Sequence, residues 1–374
     1  MNSDNHNSKI NIVVLFGGES AEHDVSCITA AHVLRALNAN KYEITTIGIT
    51  REGDWVNVKS ESNAPTDRLV ATGQPTNISA ILQGINLQGI NLQGINLQGI
   101  NSQVINESAR TVVIPLLHGP MGEDGTVQGA LELAHVAYVG SGVLGSAIAM
   151  DKSIAKQILA VNEIPQPKFI SVRENENLNN VCDSAIHEFG LPVFVKPANM
   201  GSSIGVTKAK TREQIFSALQ QAFEYDEWAL IEEAIVGREI EVAILGNQSA
   251  QASVPGEIIP GNEFYDYEDK YLGDLAKLLV PAPLTLQQIA EVQQLALKVF
   301  AILRSDGMAR IDFFFEENGR GFLCNEVNTI PGFTPISMYP KLWNASGLSY
   351  SDLLDRLINL ALDRDAKQRR KTSR

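Results

Sequence analysis

The first 140 residues alternate between apolar runs and a stretch with apolar residues at helical spacing. Residues 10–16, 44–49 and 111–117 are mostly apolar, and residues 22–37 carry an apolar face with a period near 3.6. Short apolar runs predict buried strands, whereas the longer periodic stretch predicts a helix. Strands that alternate with helices predict an α/β domain with a parallel sheet.

The rest of the chain shows a different order of predicted elements. The pattern predicts helices at 151–161 and 211–223, and strands at 192–196, 229–232, 239–245 and 253–259. A helical stripe near the end is formed by Leu353, Leu354, Leu357, Ile358 and Ala361, and predicts a helix that docks on the body of the protein. We therefore expect an α/β domain at 1–140 and two α+β domains at 141–236 and 237–374. Three domains agree with a length of 374 residues.

Two stretches of the third segment, 308–315 and 325–334, are predicted to pair as an antiparallel hairpin. The turn residues Asn318-Gly319-Arg320-Gly321 lie between them. Side chains of a strand alternate between its two faces. Arg310 and Asp312 therefore share one face of their strand, as Glu326 and Asn328 share one face of theirs.

Oxygen donors on this hairpin predict a metal site. If the register brings the two polar faces together, Asp312, Glu326 and Asn328 converge beside Arg310. Mg²⁺ prefers oxygen ligands, takes few protein carboxylates and completes its shell with nucleotide phosphates. The pattern indicates a metal–phosphate site, and the alternative is an exposed sheet face with scattered charge.

A second candidate site follows the strand predicted at 192–196. Lys196 stands at the strand end, and the small-residue loop Gly201-Ser202-Ser203-Ile204-Gly205 comes just after it. Such a loop exposes backbone N–H groups to a phosphate, and the lysine supplies a positive charge. The loop does not match the Walker pattern, and an ordinary hairpin turn is the alternative.

The chain crossover at 231–239 is a third candidate. Backbone groups of a strand that leads into a crossover between domains can bind an adenine edge, and Glu239 is available for ribose hydroxyls. Solvated carboxylates on a linker are the alternative.

Composition narrows the possible functions. A net charge of −13 argues against a nucleic-acid-binding surface, which needs clustered Lys and Arg. The three cysteines are widely spaced without a CxxC motif, so neither a disulfide framework nor a zinc site is indicated. No apolar run approaches the roughly 18–20 residues that span a bilayer, so we expect a cytoplasmic protein without a membrane partner.

Residues 82–101 consist of Leu-Gln-Gly-Ile-Asn repeated in tandem. The repeat resembles the pentapeptide that builds a square β-helix, but solenoid repeats are stabilised by stacked neighbours and this segment supplies one turn at most. We predict a surface insertion with no part in chemistry.

Several motifs occur in the order typical of the D-alanine–D-alanine ligases, an ATP-grasp family that the chain resembles. The motifs are Gly17-Gly18-x-Ser20-Ala21-Glu22-His23, His118-Gly119-x-x-Gly122-Glu123-Asp124-Gly125, Met150-Asp151-Lys152, Lys196-Pro197, Gly201-Ser202-Ser203, Phe264-Tyr265-Asp266-Tyr267 with Lys270-Tyr271, Arg310-Ile311-Asp312 and Asn325-Glu326-x-Asn328-Thr329-x-Pro331-Gly332. The resemblance covers nearly all of the chain outside the first eight residues, the repeats and the basic tail.

This resemblance implies an ATP-grasp fold, with an N-terminal α/β substrate-binding domain and two α+β domains that enclose the nucleotide. It also implies an ATP-dependent enzyme of peptidoglycan precursor synthesis. One D-alanine carboxylate would be activated as an acylphosphate, and the amine of a second D-alanine would attack it. The implied cofactors are ATP and two Mg²⁺ or Mn²⁺ ions bound to Asp312, Glu326 and Asn328, and the implied assembly is a homodimer.

The resemblance also assigns roles to individual residues. Lys152 and Lys196 would hold the α and β phosphates, and Lys270 would reach the transferring phosphate. The other nucleotide-binding residues would be Ser202, Ser203, Glu232, Glu233, Ile235 and Glu239.

At the substrate end, Glu22 would bind the ammonium of the first D-alanine, with His118 nearby. Arg310 and the backbone N–H of Gly332 would stabilise the tetrahedral oxyanion. The remaining roles are a hydrogen-bonded set of Glu22, Ser202 and Tyr271 that closes a loop over the site, and a second D-alanine site lined by Ser337 and Met338.

Alternatives remain at this point. A related ligase could use D-lactate or D-serine as its second substrate, although Tyr271 after Lys270 is typical of the D-alanine type. A nucleotide-binding regulatory protein without catalysis would not need the full set of cations and metal ligands. A nicotinamide dehydrogenase would need GxGxxG after the first strand, where this chain has Gly17-Gly18-Glu19-Ser20.

Overall fold

A computed structural model describes residues 9–59, 67–77, 111–261 and 277–368. The predictions for the repeats at 82–101, and for Lys270 and Tyr271, concern residues outside these ranges. Within them, no helix is both long and apolar enough to cross a bilayer.

The first sheet contains the strands predicted in the N-terminal segment. Its elements are β1 (Ile10–Gly17), α1 (His23–Ala36), β2 (Tyr42–Ile49), β3 (Trp55–Val58), β4 (Gln74–Pro75), β5 (Thr111–Pro115), α2 (Thr126–Leu133) and β6 (Ala137–Tyr138). The strand order is β4-β3-β2-β1-β5-β6. β1 pairs in parallel with β2 and β5, and β5 pairs in parallel with β6, which confirms the predicted α/β arrangement. The carboxyl ends of β1 and β5 therefore meet at one edge, where ligands bind in such sheets.

The second sheet lies in the middle segment. Its region contains α3 (Val143–Met150), α4 (Lys152–Val161), β7 (Phe169–Arg173), α5 (Leu178–Phe189), β8 (Val193–Pro197), β9 (Thr207–Ala209), α6 (Arg212–Ala222) and β10 (Trp228–Glu233). The strand order is β7-β10-β8-β9, and every pairing is antiparallel. One face of this sheet packs against α5 and α6 through Val193, Val195 and Ile231. Lys196 and Glu232 lie on the other face, beside Leu230 and Phe194.

The third sheet carries the predicted hairpin. Its region contains β11 (Arg238–Gly246), β12 (Gln251–Ala252), β13 (Gly256–Ile259), β14 (Lys277–Leu279), α7 (Leu286–Ile302), β15 (Gly307–Glu316), β16 (Gly321–Asn328), α8 (Met338–Ala345) and α9 (Tyr350–Gln368). β15 pairs antiparallel with β16, as the hairpin prediction requires. It also pairs antiparallel with β11. A bulge between Asp312 and Phe313 adds one residue, Asn325, to the β16 side.

The final helix docks where the sequence predicted, against the body of the protein. Leu353, Leu357 and Ile358 of α9 belong to the same buried cluster as Ile12 and Phe16 of β1. The Arg364 side chain, 6% exposed, lies against β6 and donates hydrogen bonds to the carbonyls of Tyr138 and Gly140. The third segment therefore supplies part of the core of the first sheet.

Several elements were not predicted from the sequence. The strands β3, β4, β6, β12 and β14 have only two to four residues, too few to leave a periodic pattern. Helix α3 is mostly apolar and lacks an amphipathic stripe. Helix α7 did carry a usable signal, because Thr285 and Gln288 form a capping box at its start.

Candidate active site

A cleft of about 890 Å³ is lined by residues from all three segments of the chain. The predicted site residues that line it are Glu22, His118, Lys152, Lys196, Ser202, Ser203, Arg310, Glu326, Asn328, Gly332, Ser337 and Met338. Its described side chains include five acidic and five basic residues, the latter being Arg68, Lys152, Lys196, Arg310 and Lys341. Apolar residues such as Val25, Ile28, Ile258 and Leu278 complete the lining.

Glu22 stands at the start of α1, just beyond the carboxyl end of β1, and is 5% exposed. Its Oε1 accepts a hydrogen bond from the Ser202 hydroxyl, which joins the first segment to the glycine-serine loop. A Cβ on either Gly119 or Gly201 would lie 2.8 Å from Glu22 Oε2. Two glycines therefore make the space that this carboxylate occupies.

His118 and Glu123 lie next to Glu22, beyond the carboxyl end of β5. The Gly119 N–H donates to Glu123 Oε2 at 2.7 Å. Burial, with the nearby charge of Glu22, raises the pKa of Glu123 to about 8. Burial lowers the pKa of His118, against the opposing effect of Glu22, so His118 is neutral near pH 7. In the part of the chain that the structure describes, the His118 Nε2 atom is buried without a hydrogen-bond partner.

The two predicted phosphate lysines reach the cleft from different elements. Lys152 begins α4, and its Nζ donates to the Met200 carbonyl at 2.6 Å. Lys196 ends β8, and its Nζ lies 2.7 Å from Glu232 Oε2. Burial lowers the pKa of Lys152, and the charge of Glu326 partly offsets this effect. Each cation is thus already oriented by oxygen atoms of the chain.

The glycine-serine loop joins β8 to β9, so it is the connection of an antiparallel pair. Asn199 anchors its start, because the backbone and side-chain N–H groups of Asn199 both donate to Asp226 Oδ2. Ser202 and Ser203 adopt φ values of +49° and +60°. Non-glycine residues are uncommon in this left-handed region, which marks the loop as a locally strained segment beside the cleft.

The β15–β16 hairpin brings its polar residues onto one face. Asp312 lies opposite Glu326, and Arg310 lies opposite Asn328. The Asn328 amide donates to Asp312 Oδ2 at 2.9 Å. Because of the bulge at Asn325, Cys324 remains in the core while Glu326 points to the cleft side.

This donor set fits an oxygen-coordinated divalent cation. Asp312 and Glu326 are carboxylates, Asn328 is an amide, and all are hard oxygen donors on one face. Among the described residues, no group of three or more His, Cys, Asp or Glu side chains could hold a metal. Two carboxylates and an amide leave coordination positions open, which suits a metal that also binds phosphate.

Arg310 is held by two carboxylates. Its Nε and Nη2 atoms donate to Asp312 Oδ1 and Oδ2, both at 2.7 Å, and Nε lies 3.1 Å from Glu241 Oε2. Burial acts to lower the pKa of Arg310, but Asp312 and Glu241 outweigh it and raise the pKa well above its usual value. The guanidinium therefore stays charged at every pH of interest.

The segment after β16 forms the opposite wall of the cleft. A Cβ on Gly332 would lie 3.0 Å from the Ser337 hydroxyl. Ser337 precedes α8 and accepts from the Thr334 N–H at 3.2 Å, and Met338 is the first residue of the helix. Gly332, Ser337 and Met338 thus lie together, as predicted for neighbouring parts of one site.

The structure does not bring the predicted nucleotide-base residues to the described cleft lining. Glu232 is buried and pairs with lysines, and the Glu233 side chain accepts from the Lys168 N–H and from Arg320. Ile235 lies in the crossover between β10 and β11, and Glu239 lies on β11 opposite Phe314. Their roles in binding the base remain predictions.

Several charged residues at or below the cleft were assigned no role from the sequence, and four of them bear on the site. They are Glu123, Lys156, Glu241 and Lys341. Lys156 lies four residues, about one helical turn, after Lys152, and Lys341 lies four residues after Ser337. Residues at this spacing share a helix face, so the sequence could have indicated both lysines. Glu241 becomes a neighbour of Arg310 only through the pairing of β11 with β15, which no local pattern indicates.

Comparisons with known proteins agree with the fold. A family model described as D-ala D-ala ligase N-terminus matches residues 11–141, and one described as D-ala D-ala ligase C-terminus matches residues 158–359. A D-alanine–D-alanine ligase of Thermoanaerobacter sp. (strain X514) is 45% identical over 359 residues, 95% of this chain and 97% of that protein. One of Caldicellulosiruptor bescii is 43% identical over 368 residues, 97% of this chain and 98% of that protein.

Solved structures give the same result. The D-alanine-D-alanine ligase from Coxiella burnetii has a TM-score of 0.77 and 34% identity, covering 96% of each chain. The VanG D-Ala:D-Ser ligase from Enterococcus faecalis has a TM-score of 0.76 and 32% identity, covering 95% of this chain and 100% of that one.

Proposed function

Since the chain belongs to the D-alanine–D-alanine ligase family, we propose that its cleft joins two D-alanine molecules into D-alanyl-D-alanine at the expense of ATP. The product is a precursor for peptidoglycan synthesis. The observation that carries the proposal is the cleft itself, where the Glu22 carboxylate, two lysines, the oxygen atoms of Glu326 and Asn328 and the Arg310 guanidinium line one cavity.

The first D-alanine binds through its ammonium to Glu22, with His118 beside it. The hydrogen bond from the Ser202 hydroxyl to Glu22 supports this assignment, because it places a buried carboxylate next to the glycine-serine loop. In the first step an oxygen of the D-alanine carboxylate attacks the γ-phosphorus of ATP. The bond from phosphorus to the β,γ-bridging oxygen breaks, and ADP and a D-alanyl phosphate result.

Both reactants of this step are anionic, so the cleft must supply positive charge. Lys152 and Lys196 would bind the α and β phosphates, with N–H groups of Ser202 and Ser203 at the loop. Lys270, outside the described residues, would reach the transferring phosphate. The described lining has five acidic and five basic residues, and the pKa of about 8 leaves Glu123 mostly protonated near pH 7, so the cleft has a surplus of only one positive charge, too little for a triphosphate.

The family uses ATP with a divalent metal, and this balance of charges is consistent with that need. Asp312, Glu326 and Asn328 would hold the ions, which we take to be two Mg²⁺ or Mn²⁺. A bound metal would neutralise charge on the phosphate oxygens as phosphorus is transferred.

In the second step the amine of the second D-alanine attacks the carbonyl carbon of the acylphosphate. A C–N bond forms, the C–O bond to phosphate breaks, and the amine loses a proton. Arg310 and the Gly332 N–H would stabilise the oxyanion of the tetrahedral intermediate. Ser337 and Met338, which lie against Gly332, would position the second D-alanine.

The proposal extends to the nucleotide base and to the domains. Glu232, Glu233, Ile235 and Glu239 would bind adenine and ribose around the crossover between β10 and β11. Segment 1–140 would act as the substrate-binding domain, and segments 141–236 and 237–374 would enclose the nucleotide. Tyr271, also outside the described residues, would join Glu22 and Ser202 when a loop closes over the site and excludes water from the acylphosphate.

Oligomeric state and location follow from the resemblance alone. We expect a homodimer that works in the cytoplasm, where ATP is available, with no nucleic-acid or membrane partner. Light scattering on the purified protein measures the oligomeric state directly.

A D-serine preference at the second site is a second candidate, because the VanG D-Ala:D-Ser ligase has a similar fold along nearly the whole chain. Phosphate release from ATP should be measured with D-alanine alone and with D-alanine plus D-serine or D-lactate, and the products identified by mass. We expect D-alanyl-D-alanine as the main product. A mixed product formed faster than this dipeptide would favour the D-serine or D-lactate assignment instead.

A substrate-site variant tests the cleft. Glu22→Gln should raise the KM for D-alanine at least about tenfold, as expected when a charged partner is removed, and should leave the KM for ATP near wild type. The matched control is Glu43→Gln, an exposed residue of β2. Equal KM values for D-alanine in both variants would contradict the assignment of Glu22.

A further inference from the structure

A buried ion triad lies directly behind the cleft. The Glu232 carboxylate lies between two ammonium groups, with Oε2 2.7 Å from Lys196 Nζ and Oε1 3.1 Å from Lys156 Nζ. Lys156 is 2% exposed and Glu232 is 4% exposed. Lys196 lines the cleft, whereas Glu232 and Lys156 do not.

Three elements build the triad. Lys196 lies on β8, Glu232 on the neighbouring β10, and Lys156 on α4, one turn after Lys152. The β10 register places Glu232 beside Phe169 of β7, and the Phe169 ring centroid lies 5.7 Å from Lys156 Nζ. The Lys156 ammonium is therefore buried between an aromatic ring and a carboxylate, and it does not line the cleft.

A buried lysine is costly, so its position calls for an explanation. Burial lowers the pKa of Lys156, and the charge of Glu232 opposes this effect. For Glu232, burial acts to raise the pKa, but the two lysines outweigh it and leave the pKa below its usual value. Two ammonium groups and one carboxylate give the triad a net charge of about one positive unit, and Lys196, which lines the cleft, is the member that can present it to an anion.

We infer that Lys156 is a positioning residue for nucleotide binding, which holds one oxygen of Glu232 so that Glu232 orients Lys196 without neutralising it. Without Lys156, Glu232 Oε1 would be a buried oxygen with no cation. Glu232 would then turn both carboxylate oxygens toward Lys196. The Lys196 ammonium would be neutralised by the whole carboxylate charge, which in the wild type it shares with Lys156. The inference rests on the proposed role of Lys196 in binding ATP phosphates.

The primary test is Lys156→Met, which removes the charge and keeps the length of the side chain. We expect the dissociation constant for ADP or ATP, measured by calorimetry on the full chain, to rise about tenfold, which corresponds to about 1.4 kcal/mol. The KM for D-alanine should change less than about twofold, since Glu22 and His118 are untouched. The control is Lys298→Met, an exposed lysine of α7 whose Nζ contacts the Asn162 carbonyl, and its affinities should match wild type.

A double-mutant cycle separates positioning from a general structural role. If Lys156 acts through Glu232, then adding Lys156→Met to Glu232→Gln should change ATP affinity by less than about twofold. A tenfold loss in both backgrounds would overturn the inference. A lower melting temperature with equal loss of ATP and D-alanine affinity would overturn it as well, because it would show a structural role only.

Two further variants complete the design. Lys156→Gln can still donate a hydrogen bond to Glu232 and serves where Lys156→Met does not fold; a several-fold weaker ATP affinity is expected, and wild-type affinity would contradict the inference. Lys196→Met tests the premise. If Lys196→Met weakens ATP binding and Lys156→Met does not, the inference alone fails; if Lys196→Met has no effect, the proposed role of Lys196 fails first.

Discussion

Three cations of the cleft are held by oxygen atoms of the chain itself. Lys152 donates to the Met200 carbonyl, Lys196 pairs with Glu232, and Arg310 pairs with Asp312. Such partners fix the direction of each charge before a substrate arrives, so less reorganisation is needed during reaction. The same partners limit how much positive charge a phosphate experiences. The residues that set the charge balance are therefore as important as those that touch the substrate.

Glu326→Gln tests the metal assignment. Removing one ligand charge should lower the rate of ATP turnover on the order of 100-fold, because charge on the phosphoryl oxygens would be less well neutralised. The fold should be unchanged. The control is Glu316→Gln at the far end of the same hairpin, where the carboxylate pairs with Arg320, and its turnover should be close to wild type. Wild-type turnover of Glu326→Gln at low Mg²⁺ would refute the site.

Glu123 should make stability depend on pH. Its pKa is raised to about 8 in the folded protein from an ordinary value of 4.5, chiefly by burial. A raised folded-state pKa contributes stability below the unfolded value, and that contribution is lost as pH rises through about 8. The free energy of unfolding of the wild type should therefore fall, relative to Glu123→Gln, as pH increases across this range.

Urea denaturation at several pH values measures this difference. The exposed Glu224 supplies a control, because Glu224→Gln should follow the wild type at every pH. A constant difference between wild type and Glu123→Gln from pH 5 to pH 9 would show that Glu123 does not titrate as the geometry implies.

At the scale of elements, sequence patterns predicted those helices and strands whose apolar residues follow a regular spacing. The long apolar runs of the first sheet, the β15–β16 hairpin and the stripe of α9 were all predicted, because each leaves a periodic signal. The common face of Glu326 and Asn328 followed from strand geometry. The bulge at Asn325 did not, since a period of 2 carries no mark of an extra residue, and yet the bulge decides that Glu326 faces the cleft.

Contacts between distant elements could not be predicted in this way. Lys156 shares a helix face with Lys152, but its partner Glu232 lies on β10, far along the chain from α4. Glu241 reaches Arg310 only because β11 pairs with β15. The family resemblance supplied roles for residues of the motifs, and it gave no reason to select these two.

The glycine-serine loop and α1 are predicted to be coupled through Glu22. A Cβ at Gly201 would lie 2.8 Å from Glu22 Oε2, the end of a flexible side chain, so Gly201→Ala should displace that carboxylate at little cost to stability. We expect a KM for D-alanine raised several-fold with a near-normal melting temperature. Gly129→Ala in α2 is the matched control, because the added methyl has space, and it should stabilise the protein by about 0.5–1 kcal/mol. An unchanged KM in Gly201→Ala would argue against the coupling.

At the scale of the whole molecule, α9 ties the third segment to the first sheet. Arg364 donates to the carbonyls of Tyr138 and Gly140, and its guanidinium lies 4.0 Å from the Tyr138 ring centroid. Tyr42 of β2 donates to Asp355 of α9 at 2.6 Å. Segments that are distant in sequence therefore share one core, and the first sheet is completed by a helix from the other end of the described chain.

Arg364→Met tests this connection. The substitution leaves two buried carbonyls without their donor and should lower the free energy of unfolding by roughly 2–4 kcal/mol. Arg356→Met on an exposed part of the same helix, where the side chain contacts Gln251, should change it by less than about 0.5 kcal/mol. Equal effects of the two substitutions in chemical denaturation would show that Arg364 is not the anchor.

The tandem repeats at 82–101 lie outside the described residues, so their prediction rests on the sequence. Deleting these 20 residues should leave melting temperature, oligomeric mass and ligase rate near wild type, because closure entropy varies slowly with loop length. A change from dimer to monomer on deletion would show that the repeats form an interface.

The docking of α9 on the first sheet also constrains the order of events during synthesis. The helix follows β6 by roughly 200 residues, which takes on the order of tens of seconds at roughly 5–20 residues per second on the ribosome. Until then the part of the sheet's apolar face that α9 covers stays exposed, although α1 already packs on the same cluster. A growing chain of this protein is therefore a natural client for chaperones that bind exposed apolar surface, and the first sheet can mature only after translation has passed α9.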